Sequence, residues 1–390
     1  MSRRAIVEST SRYANGMFLW ARLLVEYLQS DALTIQDRLD ALDNLVFLEG
    51  LDRLYCAIFQ SIVEKNPARA IQHIRRMFQL AVSAMRPLRL TEFRTALATP
   101  SCGHGSCFDT IPNLEENIGR VSGALLEIYS DKTIRLVHTS VAEYLLGSRN
   151  VLEASPTSNL NKFLFLRNEA HSVLAATCLS YFCQQIPPGP LSTDSQVTPD
   201  RQLQDKKYPF LHYSLQFWVA HACEGFGDST CELFDNNMKD TAVGILLTWL
   251  TDFMRNKIYV SKWIEASFLF GITPTLNRLL IKFKCLRDTS MDDGRHTQQL
   301  GRITSELEEF TLDLQTLNER WTHVLRVTPN EIWEPSIPTF TKSNFWVGTK
   351  EAKLSSLATH GSLPSSLIVI QSQVSNSGLE VGLIKLLPSM

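Results

Sequence analysis

The sequence has no apolar run near the roughly 18 residues that a membrane-crossing helix needs. Its most apolar stretches, Val243–Leu250 and Leu367–Ile370, stop far short of that. Near the start, Arg3 and Arg4 are not followed by an apolar stretch, so no secretory signal is expected. Cysteine is sparse and irregular, 8 in 390 residues, which excludes a disulfide framework and suits reduced side chains packed as small apolar groups. Charge of neither sign dominates: 38 basic against 40 acidic residues give a formal net charge of −2. Nothing global therefore draws the chain to nucleic acid or to an anionic membrane. Two catalytic signatures are missing. There is no Gly-x-x-x-x-Gly-Lys-Ser/Thr loop to cradle phosphates and no Gly-x-Ser-x-Gly nucleophile elbow. The chain is accordingly expected to be a soluble cytoplasmic protein that is not an enzyme and carries no cofactor.

What is present is globular composition, 44% hydrophobic and 9% aromatic. At roughly 100 to 200 residues per domain, this length suggests several domains. Gly16–Leu28 reads as a helix apolar nearly all round, expected to be buried on most sides. Leu51, Leu54, Tyr55, Ile58, Phe59, Ile62 and Val63 recur at helical spacing, and Asn66-Pro67 ends that helix. A second helix carries Ile71, Ile74, Met77, Phe78, Ala81 and Met85 before Arg86-Pro87. Leu88–Leu90 is a brief extended piece, and Thr91 is expected to cap a helix through Ala98. A loop over 99–113 precedes a helix over Leu114–Gly123. The period then changes to two. Leu126, Ile128, Ile134 and Leu136 predict a β-hairpin, and Ser140 with Glu143 predicts a capping box opening a last short helix. Helix, short strand, two helices, hairpin and helix is the order of a winged helix.

Beyond a polar linker over 147–160, helices are expected over 168–185, Tyr208–Cys223, Cys231–Ile258, Lys262–Phe283 and Glu306–Val324, with a loop over 186–207. From Val327 the residue types favour strands. The expected fold class is mainly α: a helical segment over 1–66, a winged helix over 67–150, a helical domain over 160–285, and a helix followed by a β-leaning tail over 300–390.

Several segments resemble a known family. Gly16-Met-Phe-Leu-Trp-Ala21, Leu51-Asp-Arg-Leu-Tyr55, Arg86-Pro-Leu-Arg-Leu-Thr-Glu-Phe-Arg-Thr-Ala-Leu97 and Ile134-Arg-Leu-Val-His-Thr-Ser-Val-Ala-Glu-Tyr-Leu-Leu146 are similar, in order, to the region after the nucleotide-binding core of fungal STAND proteins with a NACHT domain. Their winged helix is the module named after GPI inositol-deacylase. Tyr208-Pro-Phe-Leu-His-Tyr213, with Trp218 and His221, resembles the helical segment that follows it, and the resemblance spans roughly residues 10 to 225. Glu265–Leu280 is similar to one ankyrin-type helix pair, although a single pair also reads as an ordinary helical hairpin. Glu331–Pro335 and Asn344–Val347 are similar to segments of the same proteins.

The resemblance implies a non-catalytic regulatory or scaffold fragment. It would relay nucleotide state between an NTPase core, supplied in cis in a longer product or in trans, and a sensor region. It also implies protein partners, no membrane and no nucleic acid. In the family a His just before the last helix of the winged helix reads bound nucleotide. The matching residue is His138, followed by Thr139 where the family has Asp. With no nucleotide site in the chain, the preferred role of His138 is to orient the hairpin-to-helix junction. The alternative function is a DNA-binding winged helix using Arg75, Arg76, Arg89 and Arg94 of a basic cluster that includes Arg69 and Arg86. Pairing of these arginines with Asp37, Asp40, Asp43, Glu49 and Asp52 inside the chain is preferred. Cys102, His104 and Cys107 supply three metal ligands without a fourth, so no metal is expected.

Overall fold

The computed structural model describes residues 3–14, 17–29, 33–45, 50–100, 113–147, 162–194, 196–227, 241–289 and 295–333. The expected 99–113 loop with Cys102, His104 and Cys107, the 147–160 linker, the 231–240 part of the next expected helix and the β-leaning tail past 333 lie wholly or mostly outside them.

The fold is mainly α with one small antiparallel sheet. Helices α1 (Arg3–Ala14), α2 (Phe18–Gln29) and α3 (Ile35–Asp43) open the chain. The expectation that α2 is buried on most sides is corrected. It buries Trp20, Leu23 and Leu24 towards α1 and α4 (Leu51–Lys65), and it leaves Phe18 90% exposed. One stripe, Phe18, Arg22, Val25 and Gln29, stays exposed, so apolar character all round does not become burial all round. Helix α4 buries the stripe its spacing predicts, except Leu51, which is half-buried.

Next come α5 (Ala68–Ser83), β1 (Leu88–Arg89), α6 (Leu90–Ala98), α7 (Leu114–Val121), β2 (Leu126–Ile128), β3 (Thr133–Leu136) and α8 (Thr139–Leu145). The sheet order is β1-β3-β2, with Leu126 opposite Leu136, Ile128 opposite Ile134, and Leu88 also opposite Ile134. This is a winged helix. Thr91 is not the cap of α6: the helix starts two residues earlier, at Leu90, and the Glu92 carboxylate accepts from the Arg89 N–H at 2.7 Å. At its centre Phe59 packs against Phe78 and Phe163, with ring centroids 5.4 and 4.9 Å apart.

The rest is helical: α9 (Arg167–Ser180), a π turn (Tyr181–Gln185), α10 (Arg201–Lys207), α11 (Leu211–Gly225), α12 (Ala242–Arg255), α13 (Lys257–Leu269), α14 (Asn277–Thr289), α15 (Arg295–Leu325) and a 3-10 turn (Pro329–Trp333). Several boundaries differ from expectation, and the helix expected over Lys262–Phe283 is two helices, α13 and α14. The 168–185 helix loosens into the π turn for its last five residues. The 186–207 loop contains α10, because the Asp200 carboxylate accepts from the Leu203 N–H and starts a helix. Asn256 ends α12 and caps α13 through Ile258 and Tyr259, so neither expected helix there keeps its bounds. Helix α15 begins before the expected Glu306.

Helix α13 packs on α12, the π turn and the 3-10 turn, whereas α14 leans on α11 and α15. The 265–280 stretch therefore spans two helices with different principal neighbours. One cluster of buried side chains runs from Ala14 to Ile332. Its tightest helix crossing is α9 on α11. There a Cβ added at Gly225 would meet the Ser172 backbone at 2.9 Å, and Ser172 Oγ donates to the Gly225 carbonyl.

Candidate functional site

The winged helix is joined to the helices after it by its own basic residues. Arg76 projects from α5 and is 3% exposed. Its guanidinium donates to the carbonyls of Ala96 and Thr99 at 3.2 and 2.5 Å, and to Thr177 Oγ1 on α9 at 3.1 Å. Arg75 is half-buried beside it, donating to the Glu169 carboxylate at 2.7 Å and the Leu164 carbonyl at 3.2 Å. Arg86 holds Glu92 through two bonds of 2.8 and 2.7 Å and lies over the Tyr213 ring. Arg89, 62% side-chain exposed, stands 4.0 Å from Asp205 on α10, and Arg94 is exposed.

Pairing inside the chain is thus observed, but with other partners than expected. Asp37 is spent on the Thr34 N–H and Asp40 on the Gln36 side chain, while Glu49 lies outside the described residues. Sequence spacing placed acids and arginines near each other along the chain. The fold instead brings α9 and α10 against the winged helix. Of the four arginines considered for nucleic acid, Arg76 is closed off by packing and Arg75 is half-closed. In a helix-turn-helix the second helix enters the major groove. Here that helix is α7, and its exposed first turn presents Glu115 and Glu116.

His138 caps α8, where Ser140 was the expected cap. Its Nδ1 accepts from the Ser140 N–H at 3.1 Å and lies 2.7 Å from Ser140 Oγ. Since Nδ1 accepts, the ring proton sits on Nε2 and the serine hydroxyl donates to the ring. Ser140 Oγ in turn bonds Tyr55 OH at 2.8 Å, tying α8 to α4. The ring is exposed at the hairpin-to-helix junction.

A second polar chain is fully inside. Tyr213 OH accepts from the Met85 N–H at 3.1 Å and meets His221 Nε2 at 2.9 Å, and His221 Nδ1 meets His171 Nδ1 at 2.9 Å. With the tyrosine oxygen accepting from Met85, the arrangement that gives every group a partner sends the tyrosine proton to His221 Nε2. His221 then donates to His171. The relay runs from the end of α5 through α11 to α9. Burial pushes His221 down to about 3, helped by His171, and lowers His171 as well, against the pull of Glu224.

Sequence reasoning missed Lys262 and Glu265, one turn apart on α13 in an otherwise apolar run. Burial pushes the Lys262 amine down to about 8, and its Nζ donates to the carbonyls of Phe182 and Ile186 at 2.8 and 2.7 Å. Phe182 lies in the π turn and Ile186 directly follows it. Burial pushes the Glu265 carboxyl up to about 7, opposed by bonds from Trp333 Nε1 and the Leu191 N–H. The signal was a lone cation and a lone anion at i, i+3 between Val260 and Phe268.

A groove of about 310 Å³ lies between α2, α4 and α7, lined by Tyr27, Ile58, Ile62, Lys65 and Arg120. Among the described residues no group of three or more His, Cys, Asp or Glu is placed to hold a metal, and no helix is long and apolar enough to cross a membrane.

Residues 61–155 match the family model of the GPI inositol-deacylase winged helix domain. The match covers about a quarter of the chain, beginning in the last turns of α4 and including every strand of the sheet. It therefore identifies this module as similar to that domain and leaves the other helices without a family. No curated protein and no solved structure matches the chain.

Proposed function

We propose that the chain is a non-catalytic regulatory or scaffold protein in which the winged helix serves as an internal coupling module. The observation that carries this reading is the burial of Arg76 between α5, α6 and α9. A winged helix that reads DNA keeps its cations on the outside for phosphates. This one spends Arg75, Arg76 and Arg86 on carbonyls and carboxylates of its own chain.

The finer reading is a relay in a fungal NACHT-type STAND protein, working in the cytoplasm between an NTPase core and a sensor region. Its support is the ordered resemblance of residues 10 to 225, together with the bonds from Arg75, Arg76 and Met85 into α9 and α11. A relay needs two packed bodies whose contact can shift as a unit. His138, as the exposed cap of α8, is the residue through which such a core would be felt. Protein partners follow from this reading, and membrane and nucleic acid do not.

The test is affinity capture of the full chain from its native cell extract, with calorimetry on the purified chain. Capture of a protein bearing a Gly-x-x-x-x-Gly-Lys-Ser/Thr loop, lost in a His138→Ala variant that still folds, supports the relay. Turnover of ATP above buffer would remove the non-catalytic reading. Salt-sensitive binding to a DNA duplex would replace the relay with nucleic-acid recognition.

A further inference from the structure

The 3-10 turn over Pro329–Trp333 is a short element, and turns of this kind have little stability of their own. What holds it is its seat on α13 and α15. Ile332 is fully buried there, and Pro329 and Asn330 are buried beside it. Trp333 is half-buried, and its indole N–H donates to Glu265 Oε2 at 2.8 Å. The same carboxylate receives the Leu191 N–H at 3.2 and 3.1 Å on its two oxygens. Among the described residues Glu265 has no ion-pair partner. Lys262, one turn earlier, is directed to the carbonyls of Phe182 and Ile186 instead.

We propose that residues 329–333 form a detachable clasp over α13, seated through Trp333 on Glu265, and that loss of the Glu265 proton loosens it. A buried carboxylate without a cation is costly, and the cost disappears when the clasp lifts and water reaches the group. Ionisation therefore favours the lifted form and protonation the seated form. Glu265 is poised for this because burial pushes its carboxyl up to about 7. The sign follows by linkage: the group binds its proton more tightly seated than lifted, so the clasp is firmest in mild acid and loosens as pH rises through neutrality.

Other titratable groups stand on the packed elements. They are Lys257, Tyr259 and Lys262 on α13, Tyr181 and Cys183 in the π turn, Asp252 and Arg255 on α12, His212, Tyr213, His221, Cys223 and Glu224 on α11, and Glu331 in the clasp. Cys183 and Asp252 act on Tyr259, and Cys183 acts on Lys262. On Glu265 the acting causes are burial, opposed by the bonds from Trp333 and Leu191.

The test uses the full chain labelled with 5-fluorotryptophan. The Trp333 resonance is assigned by its loss in Trp333→Phe. Between about pH 6 and about pH 8 it is expected to move towards the solvent-exposed position, by linkage to one proton. Glu265→Gln is expected to hold it at the seated position throughout. A Trp333 resonance that stays fixed over this range, or one that still titrates in Glu265→Gln, would overturn the proposal. A second measurement stands should Glu265→Gln fail to fold. Trypsin cleavage after the exposed Arg326, just ahead of the clasp, should accelerate over the same interval in the wild type relative to Trp333→Phe, which is cut readily at both ends of it. An unchanged ratio overturns the clasp.

Discussion

The guanidinium of Arg76 on α5 lies 3.1 Å from the Thr177 hydroxyl on α9, so a cation of the winged helix is bonded inside the next helical layer. Arg76→Ala removes this bond and leaves the Ala96 and Thr99 carbonyls without that donor. Bonds to charged groups contribute about 1.5 to 3 kcal/mol, and orphaned buried acceptors add to the loss. A fall in stability of about 3 kcal/mol is expected in denaturant unfolding. Arg75→Ala, half-exposed on Glu169, should cost about 1 kcal/mol or less. The sequence offers both arginines to nearby acids as ordinary ion pairs, whose loss costs little. The structure reverses that for Arg76.

Stability should also depend on the two buried histidines. Both have lowered affinity for protons in the fold. Their contribution is therefore complete above the ordinary histidine range near about 6.5 and is lost as pH falls through it towards the folded values. Thermal melts of the wild type should drop in melting temperature from about pH 7 to about pH 5. His221→Gln should start lower and lose most of that slope. A parallel slope in the variant would exclude the relay as its source.

Lys262 acts at the other end of the scale. Its folded value near 8 lies below the ordinary 10.5. Its contribution is complete above the ordinary value and is lost as pH falls towards the folded one. Stability measured by denaturant should rise on going from about pH 8 to about pH 10, and Lys262→Met should abolish the rise. At neutral pH the same variant strands the carbonyls of Phe182 and Ile186, at a cost of about 1 to 3 kcal/mol.

Within the winged helix, Leu126→Ala should be the damaging change and Leu136→Ala the milder one. Leu126 is fully buried, whereas its cross-strand neighbour Leu136 is half-buried. Truncating a fully buried Leu costs about 2 to 5 kcal/mol, and a partly buried one costs less. Melting curves of the two variants decide the ranking. Equal effects would mean that the hairpin register differs from the one described.

The winged helix was legible because its signals are local. The change of period at Leu126, the proline after Arg86 and the apolar stripe of α4 each act within a few residues. His138 at the hairpin-to-helix junction was legible for the same reason, although Ser140 took the role of cap in the sequence. What escaped depends on distance in the chain. Thr177 lies far along the sequence from Arg76, and nothing near either residue points to the other. Glu169 and Asp205, the partners that Arg75 and Arg89 find, were hidden in the same way, and nearer acids drew the assignment instead. Lys262 and Glu265 were passed over because an apolar helix reads as core even when it carries two charges. The π turn had no signal at all, since its carbonyls are satisfied by a lysine from another helix.

That turn makes the chain sensitive to length as well as to composition. A π turn holds one residue more than an α-helical turn, and each residue rotates a helix by about 100°. Deleting any single residue between Tyr181 and Gln185 would let α9 run on as regular helix, with no side chain changed in character. Ile186 would then swing to another side of the axis, and its carbonyl would leave Lys262. Leu191 would arrive at Glu265 out of step. Substitutions at the exposed Gln184 and Gln185 should be absorbed, whereas a one-codon deletion at either should not. In a library of single deletions across 167–194, tolerance should collapse over these five positions and return in the loop beyond Pro187.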